Sequence, residues 1–76
     1  MYEAPVIANR IKLRAKQQGL QLKNILEECG LSKNTLSSML SGGSTPKSEN
    51  LGKIADVLDC SVDYLLGRTD KPEVNR

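Results

Sequence analysis

The chain has no histidine, no tryptophan and no phenylalanine, and only two tyrosines and two cysteines among its 76 residues. Without histidine, Ser-His-Asp triads, Cys-His pairs and His-based metal sites cannot form. Cys29 and Cys60 lie 31 positions apart, far from the CxxC spacing of a zinc or redox site, so neither a metal nor a cofactor is expected. They read as two small buried hydrophobes in a reducing compartment, an intramolecular disulfide being the less expected alternative. With aromatics so scarce, the core must be aliphatic. No apolar run approaches the ~18 residues of a membrane span, and residues 1–10 lack the apolar stretch of a signal peptide. A cytoplasmic location without a membrane partner is therefore expected. A phosphate-loop motif and a paired-carboxylate cleft are also missing, which leaves nothing for an enzyme or a small-molecule substrate.

What is present is ordinary globular composition, 38% hydrophobic and 26% charged, in a length that allows one small domain. A core of this size supplies about 3–5 kcal/mol, so help from dimerisation or ligand binding is expected. Net charge is only +2, but it is unevenly spread. Residues 10–47 carry seven cations against Glu27 and Glu28, whereas residues 48–76 carry four cations against six anions. A basic first half beside a mildly acidic second half suggests a face built for a polyanion. A solvated lysine-rich helix would give the same balance, and charge alone does not separate the two.

No alternating strand pattern occurs, and turn signals divide the chain into short helical pieces. A first helix is predicted over about residues 5–18, with Pro5 in its first turn, Ile7, Ile11 and Ala15 on one stripe, and Gly19 closing it. A second spans about residues 22–29, with Ile25, Leu26 and Cys29 inward. Ser32 is a good N-cap for a third that runs to Leu40 or Ser41 and buries Leu36, Met39 and Leu40. A fourth, from Pro46 or Lys47 to Leu58, repeats Leu51, Ile54, Ala55 and Leu58 at i, i+3, i+4, i+7, with Thr45 or Ser48 as its cap. Ser61 caps a short fifth helix, Val62 to Leu66, stopped by Gly67. Residues 68–76 show no apolar stripe and read as a polar tail or linker after a domain of residues 1–67.

Residues 22–41 are the informative piece. Two short helices joined at a glycine cross at a wide angle only if certain positions are apolar and one is conformationally free. Ile25, Cys29, Leu31, Leu36 and Met39 are all apolar around Gly30, a match that chance gives this composition in about 4% of trials. Outward, the third helix shows Lys33, Asn34, Thr35, Ser37 and Ser38. A merely solvated helix face carries Glu and Lys, so four short hydrogen-bonding side chains that favour helix poorly need another reason. Asn binds adenine N6 and N7, Lys binds guanine O6 and N7, and hydroxyls reach base edges or phosphates. No carboxylate lies between Lys33 and Ser48, which suits approach to phosphates.

At these residues the chain resembles the phage-repressor-like (XRE, lambda-repressor-type) helix-turn-helix family. The resemblance runs from about Ile7 to Gly67 and rests on Arg10-Ile11-Lys12, Lys16-Gln17-Gln18-Gly19-Leu20, Cys29-Gly30-Leu31-Ser32-Lys33-Asn34-Thr35-Leu36-Ser37, Ser41-Gly42 and Ile54-Ala55-Asp56-Val57-Leu58. The ending Cys60-Ser61-Val62-Asp63-Tyr64-Leu65-Leu66-Gly67-Arg68 is its most specific mark, and looks like that of small repressors of low-GC bacteria and their phages or mobile elements. It implies an all-α, compact bundle of five short helices with the third in the major groove. Lys33, Asn34 and Ser38 then face bases, with Thr35 and Ser37 at base or phosphate. By the same resemblance Arg10, Gln21, Lys23, Ser32, Ser41, Gly43, Thr45 and Lys47 hold the phosphate backbone. Such contacts fix register without reading sequence. Five positions depart from the family pattern. Leu22 replaces a frequent Gln, Leu26 a usual Ala, Arg14 a core leucine, and Ala15 with Leu40 an Arg–Glu pair.

The expected function is a sequence-specific regulator, a repressor of transcription, bound to double-stranded DNA at a palindromic operator. One small head offers too little contact for tight specific binding, so a homodimer is expected, its surface involving Val57, Val62, Tyr64 and Leu65. Tyr64 reads equally as a core residue. The alternative is a protein-interaction module, an antitoxin or anti-repressor that kept the fold.

Overall fold

A computed structural model of the chain describes residues 3–42 and 45–73. Five helices follow one another, α1 (Ala4–Gln18), α2 (Leu22–Glu28), α3 (Thr35–Leu40), α4 (Ser48–Leu58) and α5 (Val62–Leu66). No strand occurs among the described residues. The all-α bundle expected from periodicity is the one observed.

Ile7, Ile11 and Ala15 face inward along α1 as their spacing predicts, and Ala4 and Ala8 complete the buried stripe. Small side chains there let α1 pack against α3, α4 and α5 at once. Helix α1 stops where Gly19 turns left-handed (φ 69°), and the Leu20 N–H reaches back to the Ala15 carbonyl at 2.9 Å. The same crossed pair of bonds ends α4, but at Asp59 (φ 52°), a residue whose short polar side chain tolerates that conformation. Arg14 takes up carbonyls this ending leaves open. Its Nε donates to the Leu58 carbonyl at 3.1 Å and its Nη2 to the Asp59 carbonyl at 2.8 Å, and Gln18 Nε2 adds a bond to Leu58 at 3.2 Å. The Arg14 head is thus fixed across the end of α4.

The core is aliphatic apart from Tyr64. Ile7, Ile11, Ile25, Met39, Ile54, Leu58, Tyr64 and Leu65 are its largest fully buried side chains, and no polar or charged residue is buried among the described residues. Among the described residues no helix is long and apolar enough to cross a membrane.

Five sequence-based expectations need correction. Helix α3 starts at Thr35, not directly after Ser32, because residues 32–34 form a separate turn. Leu40, expected inside, is 42% exposed; one helical step past Met39 it has turned out of the core. Neither Thr45 nor Ser48 caps α4, whose N-cap is Lys47 with no side-chain bond. Tyr64 and Leu65, named for a dimer surface, are 2% and 0% exposed. They face α1 from α5 and have no area to offer a second copy; Val62 is exposed and Val57 half-buried. Residues 68–73, read as a polar tail, lie back on the bundle. The Ser61 N–H donates to the Pro72 carbonyl at 2.9 Å, the Arg68 N–H to the Asp63 carbonyl at 2.9 Å, and Asp70 pairs with Arg10 at 2.8 Å. This strap is held by polar contacts, which a search for an apolar stripe cannot see.

Candidate nucleic-acid interface

The turn from α2 into α3 is built in two steps. Gly30 (φ 70°) lets the Leu31 N–H reach the Leu26 carbonyl at 2.8 Å while its own N–H reaches Glu27 at 3.1 Å. A residue with a Cβ would be strained there. Ser32 then closes a second turn, its Oγ accepting from the Asn34 N–H at 3.1 Å and its carbonyl from the Thr35 N–H at 3.1 Å. Ser32 is therefore not the expected N-cap of α3, a place Asn34 takes; its hydroxyl instead closes the turn that presents Lys33 and Asn34 at the tip. From that tip Leu36 and Met39 go into the core, and Lys33, Asn34, Ser37 and Ser38 stay exposed with Thr35 half-buried.

These side chains form a ridge with a recess on each flank. On one side Asn34, Thr35 and Ser38 face Thr45 and Pro46 across a space of about 310 Å³. On the other, Lys33 and Ser37 face Lys23 and Leu22 of α2 and Lys12 of α1 across about 290 Å³. No carboxylate lines either recess. A convex polar ridge with open flanks is the shape that enters a groove, and its donors and acceptors are free to be used. Ser32 and Ser41, on either side of it, are engaged, Ser32 as described and Ser41 donating from Oγ to the Ser38 carbonyl at 3.0 Å.

The residues expected at phosphates separate into groups. Gln21 and Lys23 are exposed at the start of α2, and Thr45 and Lys47 border the neutral recess or the start of α4. Gly43 lies outside the described residues. Arg10 is placed elsewhere. Its guanidinium lies 4.7 Å from the Tyr64 ring centroid and pairs with Asp70, and that hydrogen bond to a carboxylate raises its pKa further. Lys12 is the α1 cation beside α3. Two residues apart on a helix means about 200° of rotation, so Arg10 and Lys12 occupy opposite edges of α1. Sequence reasoning missed Lys12, although helical phase relative to Ile11 could have found it.

Both cysteines are buried free thiols, pushed up in pKa chiefly by that burial. They touch neither recess.

A helix-turn-helix family model matches residues 11–65. Among curated proteins, the chain is 38% identical over 69 residues to the HTH-type transcriptional regulator SinR of Bacillus licheniformis, a match covering 90% of this chain and 62% of that protein. It is 30% identical over 64 residues to an uncharacterized HTH-type transcriptional regulator, YobD, of Bacillus subtilis, covering 84% and 57% respectively. The chain thus spans about three fifths of the length of these two relatives. No solved structure matches it significantly.

Proposed function

The chain belongs to the helix-turn-helix family of the XRE type, and from that premise we propose that it is a sequence-specific double-stranded-DNA-binding repressor of transcription. It inserts α3 into the major groove and works in the cytoplasm as a homodimer. The observation that carries this reading is the exposed ridge of Lys33, Asn34, Ser37 and Ser38, all hydrogen-bonding and none acidic. Its reach is that of side chains that read base edges. Lys12, Lys23 and Lys47 hold the backbone on either side, a role that sets register and supplies most of the affinity.

Dimerisation follows from size. One head buries about 600–1,000 Å² on DNA, less than tight specific binding uses, and two heads reading successive major grooves lie about 34 Å apart. The domain measures 30 × 28 × 21 Å, so two copies side by side meet that spacing. Val62, exposed beside Pro46 and Leu66 on an apolar groove, is the surface that serves this contact. Residues 1–67 form the binding unit, and residues 68–73 strap back onto it. Occupancy of a palindromic operator then excludes competing proteins from that DNA.

Binding-site selection from random duplexes tests this reading. Enrichment of a palindrome whose half-sites lie one helical turn apart is the expected result. A pool that stays random after repeated rounds would refute sequence-specific reading and leave a protein-docking module as the better account.

A further inference from the structure

We infer that the recess between α2 and α3 reads the C5 methyl group of a thymine, so that the recognised half-site carries thymine at that place. This rests on α3 being the base-facing helix. The recess has a leucine floor of Leu22, Leu26, Leu36 and Leu40 and a rim of Lys12, Lys23 and Lys33. Those three cations come from α1, α2 and the turn before α3, so the fold gathers them; they are not one solvated helix face. Leu40 is left 42% exposed within that rim, and Leu22 half-buried.

An occupant must therefore be anionic at the rim and apolar at the floor. The phosphates of a duplex satisfy Lys12 and Lys23 of the rim, and Lys33 is left to a base edge. For the floor, the major groove offers one apolar group, the thymine methyl, because guanine, cytosine and adenine present donors and acceptors alone. Lys33 and Ser37 of the ridge line this same recess, so a base edge that they reach lies over the leucines. The opposite recess has no cation in its lining, and its Asn34, Thr35 and Ser38 suit hydrogen bonds to base edges. The two flanks of α3 thus divide the work. One takes a strand and its methyl group, the other takes polar base atoms.

The test replaces each thymine of a selected duplex singly by uracil, which removes the methyl and keeps every hydrogen-bonding atom. At one thymine per half-site, affinity is expected to fall about fourfold, the factor that corresponds to burying one methyl-sized group. Leu40→Gln, at an open position, and Leu22→Gln are each expected to bring the thymine and uracil duplexes to equal affinity. The uracil series uses the unaltered protein, so its answer does not depend on either variant folding. If a sequence is selected but no single uracil weakens binding, or if the weakening persists in both variants, the methyl assignment is wrong while base reading by α3 stands. If no sequence is selected at all, both fail together.

Discussion

Lys47→Ala isolates the phosphate contact proposed for Lys47 from everything else the domain does. Lys47 precedes α4 with an extended backbone (φ −63°, ψ 156°), and its side chain makes no capping bond. Alanine therefore fits there without cost to the fold. Each phosphate neutralised on B-DNA contributes about −0.9 to the slope of log affinity against log salt concentration. With Lys12, Lys23 and Lys47 at one phosphate each, a protomer has a slope of about −2.7, and raising salt from about 50 to 200 mM weakens it about 40-fold. Removing Lys47 lowers the slope to about −1.8, and the same change in salt then costs about 12-fold. Fluorescence anisotropy of a labelled duplex at four salt concentrations resolves that difference. The flattening is expected to be the same on selected and scrambled sequences, because phosphates carry no sequence information. Lys71→Ala, in the strap against α1 and α5, is expected to leave the slope alone. An unchanged slope for Lys47→Ala, or an equal flattening for Lys71→Ala, refutes the local contact.

Asn34→Ala is expected to lose about 1–3 kcal/mol on the selected sequence and to relax specificity at one position, with little change on scrambled DNA; equal losses on both would remove it from the base-reading set. Tyr64→Ala takes a side chain that is 2% exposed out of the core, a change that costs about 3–5 kcal/mol, as much as a domain this small holds. Circular dichroism should show a largely unfolded chain, whereas Val62→Asp should stay helical and sediment as a monomer. The two thiols should resist alkylation in the native chain at neutral pH. Burial raises their folded pKa above the unfolded value, so the stability linked to them is complete below about pH 8.5 and is lost as pH rises beyond it. Replacing both with alanine should flatten that alkaline limb in urea titrations.

Most of the bundle is legible in the sequence, for physical reasons that can be named. Ile7, Ile11 and Ala15, or Leu51, Ile54, Ala55 and Leu58, repeat at helical spacing because one stripe must be buried, and the burial is as predicted. Ser61 caps α5 as expected, accepting from the Tyr64 N–H at 3.0 Å. What the sequence hides depends on where elements sit relative to one another. Leu40 is apolar yet open, since hydrophobicity does not say which side of α3 runs out of core first. Arg10 and Lys12 belong to one motif, but helical rotation sends one to Tyr64 and Asp70 and the other to the recess beside α3. The strap uses a carbonyl at Pro72 and a carboxylate at Asp70, and neither leaves a mark in composition. The tip at Lys33 and Asn34 was legible as a polar face, whereas its place in a turn before α3 depends on the Ser32 bonds.

Amide chemical-shift mapping of the ¹⁵N-labelled chain, titrated with a selected duplex, addresses the central claim most directly. The account predicts that the largest shifts fall on residues 32–38, with Lys23 and Lys47 beside them. Largest shifts on residues 56–63, with the amides of α3 unmoved, would contradict it.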